Sequence, residues 1–182
     1  VEFADVISGS GSYTMSAWIK PTGLFAPSFI FGQLNKGIHN GIRDFGFLHQ
    51  NHWIPESNSK GATDLNTYLA NDEDGWVHAT WVYDGETNMG YMYLDGEIDW
   101  SGEKNPPTGT GNLILGGRNG GNQGYVGLID EIGVWKRALS QDEIKLIAAG
   151  DRAYDGDFNG NGMGDQWELK YSKSIHHTFP ML

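Results

Sequence analysis

Near the end of the chain, Asp157–Glu168 reads DFNGNGMGDQWE, an acid or amide at every second position, then a glycine, then a terminal Glu. It fits the pattern D-x-[DN]-x-[DN]-G-x5-E without a gap. Asp157, Asn159 and Asn161 present side-chain oxygens, Gly162 stands where the chain must turn, and Met163 offers its carbonyl. Asp165 follows, and Glu168 closes the loop with two oxygens. That supplies about six or seven oxygens, the number that calcium takes in a loop able to flex around it. Asp157, Asp165 and Glu168 repel one another when no cation is bound, so the pattern predicts a loop that Ca2+ orders. The competing reading is an Asn/Gly-rich linker, because these residues also form turns. Two other stretches have the chemistry of sugar recognition, in which aromatic faces stack on C–H surfaces and polar groups read hydroxyls. His49–Ser59, HQNHWIPESNS, holds Trp53 in a polar loop; Arg118–Tyr125, RNGGNQGY, gathers Arg118, Asn119, Asn122 and Tyr125 among glycines. Trp100 is a third aromatic outside the evident strand core. The alternative for Trp53 is that it folds back to plug an end of the domain.

Composition limits the partners. The 182-residue chain carries a formal net charge of -11. That charge repels phosphate backbones and anionic lipid, which argues against nucleic acid and membrane surfaces. No apolar run approaches the roughly 20 residues of a membrane span, so membrane insertion is not expected. With no cysteine there is no disulfide, thiolate zinc site or cysteine nucleophile. The chain opens directly on Val1-Glu2-Phe3, which looks like a strand, and is expected to be a mature or excised piece of a longer protein.

The elements that must position these residues read as β. In Tyr13–Lys20, Tyr13, Met15, Ala17 and Ile19 share one face, and Thr14, Ser16, Trp18 and Lys20 the other. Phe29–Gly32, Asp44–His49, Trp76–Tyr83, Asn88–Leu94, Glu97–Trp100, Leu113–Gly117 and Tyr125–Trp135 follow as strands. Asp95-Gly96 is a hairpin signal. The segments 35–43 and 50–64 read as polar loops. One short helix starts at the capping box Ser140-Gln141-Asp142-Glu143, buries Ile144, Ile147 and Ala148, and stops at Gly150. Such a helix can cover an open end of a sandwich. DQWELKYS, residues 165–172, reads as a second helix after the acidic loop. Short strands at this spacing predict an all-β sandwich of antiparallel sheets.

MSAWIK, GWVHATWVYDGETNMGYMYLDGE, LILGG and YVGLIDEIGVWKRALSQDEIKLI, in that order, resemble the laminin-G-like, concanavalin A-like jelly rolls of bacterial secreted proteins. The unit GLIDEIGVWKRALSQDEI also resembles the pentraxins. The resemblance covers roughly residues 1–150 and implies two curved antiparallel sheets; the composition shift at Asp151 sets the expected boundary, with a jelly-roll domain over residues 1–153 and a calcium loop and helical tail over residues 154–182. Members are commonly glycan-binding or adhesion modules, and some are enzymes. Those that cleave glucans use carboxylates two residues apart on one strand, which alternation places on one face. Asp130 and Glu131 are adjacent, and Glu97 and Asp99 have the spacing but sit on what reads as a solvated edge. Pentraxins hold calcium with the equivalent of residues 118–125, where Gln123 matches one ligand, but the required acid falls on Gly120. The loop Asp157–Glu168 is similar to the single calcium loops of dockerins and thrombospondin type-3 repeats. His49, His52, His176 and His177 lack the spacing of a zinc site. The expectation is therefore a non-catalytic carbohydrate-binding or adhesion module of a larger secreted bacterial protein, extracellular or at the cell surface, with structural calcium. The alternative is a scaffold module that docks on a neighbouring protein domain, and a glycan hydrolase or lyase is a third reading.

Overall fold

Tyr13, Met15, Ala17 and Ile19 are fully buried, as their alternation requires, and the strand that carries them is central to one of two sheets. A computed structural model of the chain describes residues 2–3, 11–24, 27–33, 38–50, 58–71, 74–107, 111–117 and 123–150. The elements in chain order are β1 (Glu2–Phe3), β2 (Tyr13–Pro21), β3 (Ser28–Gln33), β4 (His39–Arg43), β5 (Gly46–Gln50) and β6 (Asn58–Lys60). After them come α1 (Leu65–Ala70), β7 (Val77–Asp84), β8 (Met89–Leu94), β9 (Glu97–Glu103), β10 (Leu113–Leu115), β11 (Gly127–Trp135) and α2 (Gln141–Ala148). One sheet has the order β1-β10-β3-β4-β5-β6, the other β11-β2-β7-β8-β9, and all strand pairs are antiparallel. The all-β jelly-roll sandwich expected from the sequence is the observed architecture.

The two sheets bury their facing rows against each other. Trp81 of β7 meets Phe31 of β3 and Phe47 of β5 edge-on, with ring centroids 5.9 and 5.3 Å apart. Each such side chain contributes about 1.5–3 kcal/mol by leaving water. A second cluster lies on the outer face of the β11-β2-β7-β8-β9 sheet, where Ile144, Leu139 and Ile147 cover Val82, Tyr91 and Tyr93. α2 therefore lies across a sheet face and does not plug an end of the sandwich. The reason is the β7–β8 alternation, which turns Val82, Tyr91 and Tyr93 away from the inner core and leaves them needing a cover. The capping box is formed: Ser140 Oγ accepts from the Glu143 amide at 3.3 Å, and Glu143 Oε2 accepts from the Ser140 amide at 2.8 Å.

Three elements differ from the sequence expectation. β4 occupies most of a segment that reads as loop, because HNGIR is polar in composition while Asn40 and Ile42 both face inward and are buried. β6 lies within 50–64, and α1 is a second short helix. It is capped by Asp64, whose Oδ1 accepts from the Asn66 and Thr67 amides at 2.9 and 3.1 Å. Six residues with a single buried side chain, Leu65, give no helical period to detect. Among the described residues, no helix is long and apolar enough to cross a membrane.

Candidate functional site

Trp53, Arg118, Asn119, Asn122 and the loop residues Asp157, Asn159, Asn161, Met163, Asp165 and Glu168 lie outside the described residues. Trp100 and Tyr125 are described, at opposite edges of the five-stranded sheet. Tyr125 precedes β11, is half-buried and donates its hydroxyl to the Leu128 carbonyl at 3.2 Å; burial pushes its phenol up. Trp100 is on β9, paired with Met92, and packs against the inner core.

Around Trp100 the sandwich interior becomes polar. Asn40 and His49 are cross-strand partners on β4 and β5, both buried. Asn40 Nδ2 donates to Met15 Sδ at 3.7 Å, and Met15 is the direct β2 partner of Trp81. His49 Nε2 lies 3.2 Å from the Tyr13 hydroxyl, and its ring stands edge-on to Trp100 at 6.3 Å. Tyr13 packs on Tyr83 at 5.9 Å, and the Tyr83 hydroxyl donates to Asn88 Oδ1 at 2.8 Å. A polar seam thus runs from the middle of the core to the turn after β7. Asn40 Oδ1 and Trp81 Nε1 have no hydrogen-bond partner among the described residues. Each such buried group costs about 1–3 kcal/mol.

Lys104 closes the seam. It follows β9, is only 5 % exposed, and its Nζ donates to the His49 carbonyl at 2.6 Å while lying 5.3 Å over the Trp100 ring. Its own amide donates to the Asn88 carbonyl at 2.8 Å, which fixes the stem to the β7–β8 turn. The stem fits because Gly90 and Gly102 are direct cross-strand partners. A Cβ on Gly90 would stand 2.5 Å from Lys104 Cγ, and one on Gly102 would stand 2.6 Å from the Trp100 ring. The paired glycines leave a trough free of side chains, and the lysine stem and the indole fill it. Desolvation lowers the Lys104 ammonium to about 7. Beside it an open depression of about 550 Å³ is lined by Thr87, Asn88, Met89, Glu103, Asn105 and Lys104. The lining residues thus carry a hydroxyl, two amides, a carboxylate and an amine, and Trp100, which packs under Lys104, is not part of the lining. Sequence reasoning found Trp100 and missed the rest. The available signal was the pair of glycines in NMGYMYL and WSGEK, but matching them needs the β8–β9 register, which a bulge shifts between Met92 and Tyr93.

The bulge also settles how the two β9 carboxylates are used. Glu97 bonds outward to α2, with Lys145 Nζ at 2.8 Å and Gln141 Nε2 at 3.1 Å. Asp99 turns to the loop before α1, where its Oδ1 accepts from the Thr63 amide at 2.8 Å. They engage different elements and do not face a common cleft. Asp130 and Glu131 sit at a second bulge, where Asp130 Oδ1 accepts from the Glu131 amide and Glu131 has φ +48°. Among the described residues, no group of three or more His, Asp and Glu side chains is placed to hold a metal ion.

The family described as the concanavalin A-like lectin/glucanases superfamily matches residues 1–145. Several solved structures share the fold. A Bacteroides ovatus protein, provisionally named as carbohydrate binding, is 20% identical with a TM-score of 0.60, over 79% of this chain and 42% of that one. Domain 4 of AbnA, a GH43 extracellular arabinanase from Geobacillus stearothermophilus, in complex with arabinotriose, is 21% identical with a TM-score of 0.59, over 81% and 71%. The heptameric SAP-like pentraxin of Limulus polyphemus is 18% identical with a TM-score of 0.61, over 81% and 74%. The chain thus spans less than half of the first of these proteins. At such identities the likeness is one of fold. No curated protein matches the sequence.

Proposed function

The chain belongs to the concanavalin A-like lectin/glucanases superfamily, and from that premise we propose that it is a non-catalytic carbohydrate-binding module of a larger secreted bacterial protein. The observation that carries the reading is the depression beside Trp100. Its walls supply the hydroxyl, amide and carboxylate groups that read sugar hydroxyls, and they stand on the β7–β8 turn, the start of β8 and the end of β9. The dispersal of Glu97 and Asp99 to separate partners supports a binding role over hydrolysis, which needs two carboxylates flanking one bond. The likeness to a domain solved with arabinotriose and to a protein named for carbohydrate binding agrees with it. Trp53, Arg118, Asn119, Asn122 and Tyr125 are proposed as ligand-binding residues on sequence grounds; Tyr125 stands at the sheet edge opposite the depression, and the other four lie outside the described residues.

The test is a glycan array followed by titration calorimetry. Binding is expected at micromolar to millimolar Kd, weakened roughly tenfold or more by Asn88→Ala or Glu103→Ala, because each removes hydrogen bonds made in a partly desolvated site. Absence of binding to any glycan at millimolar concentration would refute the proposal. A second reading, docking on a neighbouring protein domain, is favoured by one feature. β11 is a sheet edge whose flank exposes Val126, Leu128 and Ile132, at 57%, 58% and 38%.

A further inference from the structure

α2 covers only part of the outer face of the five-stranded sheet. It lies over Val82, Tyr91 and Tyr93, and its last residue, Ala148, stands at the β8–β9 turn, 3.6 Å from a Cβ placed on Gly96. Beside it the outer face runs on toward β11. Leu128 and Asp130 stand opposite Lys20 and Trp18 of β2, and Trp18 stands opposite His78 of β7, so these residues share that face. Trp18 and Lys20 are half-buried, while Leu128 and the nearby Val126 and Ile132 are exposed. Asp130 and Glu131 add two exposed carboxylates, neither in an ion pair among the described residues. The result is an apolar strip with an acidic margin, along a sheet edge that no described strand pairs. Open edges with an apolar flank invite other chains, and proteins cover them.

A second copy is a poor occupant, since it would bring the same two carboxylates against these on a chain of net charge -11. The chain's own end is a better one. Residues 169–182 read LKYSKSIHHTFPML and contain no Asp or Glu. Lys170 and Lys173 stand among Leu169, Tyr171 and Ile175, so the segment mixes basic and apolar groups where the strip mixes acidic and apolar ones. Reach is not limiting. From the β8–β9 hairpin to β11 is four strand spacings, about 19 Å. The stretch 151–168, which leads from the end of α2 to this segment, extends to about 60 Å. A tether of this kind holds its end at an effective concentration on the order of millimolar, so a weak contact suffices. We propose that residues 169–182 fold back and dock on the outer face of β2 and β11, with Leu169, Tyr171 and Ile175 on the apolar strip and Lys170 and Lys173 beside Asp130 and Glu131. The segment is then a built-in cover for the open edge, and any partner of this face has to displace it.

The chain has no cysteine, so Ser174→Cys gives one site for a nitroxide spin label. Amide NMR spectra of the full chain are compared with the label oxidised and reduced. The amides of Lys20, Leu128 and Asp130 should lose most of their intensity, and those of Leu48 and Lys60 on the other sheet should keep theirs. Leu128→Ser should abolish the loss. So should Lys170→Glu with Lys173→Glu, which reverses the charge of the segment and leaves the sandwich unaltered. Should Leu128→Ser not fold, the charge-reversed segment decides. Unchanged signals on β2 and β11 overturn the inference and leave the strip open to a neighbouring domain, the second reading above. A loss spread evenly over both sheets, or one that survives charge reversal, overturns it as well. Mixing spin-labelled chain with isotope-labelled chain that carries no nitroxide tests the second copy, and broadening of β11 signals in that mixture overturns the intramolecular assignment. The glycan reading is untouched by any of these results.

Discussion

Lys104 carries its charge where surroundings favour its loss, and this has a thermodynamic signature apart from any ligand. Its folded value of about 7 lies below the usual 10.5, so between these limits the unfolded chain holds a proton that the folded chain has released. Stability therefore rises with pH across this window, and the cost of burying the charge is fully present below pH 7. Urea melts at pH 7 and pH 9 should show a gain on the order of 1–2 kcal/mol in the wild type, absent in Lys104→Met. The comparison stops at pH 9 because burial pushes Tyr83, Tyr93 and Tyr125 upward, and near pH 10 their ionisation in the unfolded chain reverses the slope. An equal pH gain in the variant would show that the amine is ordinary. At this scale the sequence was only partly legible. Trp100 stood out as an aromatic outside the evident strand core. Lys104 did not, because a lysine after a strand reads as solvent-exposed until a glycine trough is known to receive it.

Among the elements, α2 was legible down to its cap. Ser140 and Glu143 reciprocate through local hydrogen bonds that depend on spacing alone. Arg137 adds a two-pronged ion pair to Glu143, at 2.6 and 3.0 Å, and this pairing is the main cause that lowers the Glu143 carboxyl to about 2. Arg137 is half exposed, so solvent screens much of the pair, and the cap supplies most of the stabilisation. Glu143→Ala should cost about 1–2 kcal/mol at pH 7. For a carboxyl with a depressed folded value, the contribution is complete above 4.5 and is lost as pH falls toward 2. The difference in thermal stability between wild type and variant should therefore shrink from pH 7 to pH 3 without vanishing, and a constant difference would contradict the assignment. β4 and α1 escaped the sequence for the opposite reason. Asn40 and His39 are polar residues held inside by tertiary contacts, and one buried leucine cannot signal a helix. The α2 position was missed because the need for a cover arises from the register of β7 against β8.

For the molecule as a whole, alternation along β2 and β7 and the hairpin signal at Asp95-Gly96 were enough for the sandwich, because sheet burial imposes a period of two. How the chain continues past Gly150 is the remaining structural proposal. We propose that residues 154–182 form a calcium-stiffened extension, with Asp157, Asn159, Asn161, Met163, Asp165 and Glu168 supplying the oxygens. The sequence pattern supports this, since three like charges in twelve residues gain most from a divalent cation. Differential scanning calorimetry in millimolar calcium should raise the transition by about 2–4 °C for each kcal/mol of coupled binding. Asp157→Ala or Glu168→Ala should remove the rise, and an intact chain indifferent to calcium would refute the proposal.

The facing glycines on β8 and β9 have a consequence for how such a module can change its preferences. The floor they make is main chain, identical whatever the neighbouring residues are, and the Lys104 stem and the Trp100 indole already fill it. Choice is left to the rim: Thr87, Asn88, Glu103 and Asn105, all on turns or strand ends. Rim residues can be exchanged without altering strand register, whereas any side chain placed on the floor expels the indole and the lysine stem. Discrimination and foldability are thus uncoupled in this corner of the sandwich, and a library varied only at the rim should yield new specificities on an unchanged scaffold.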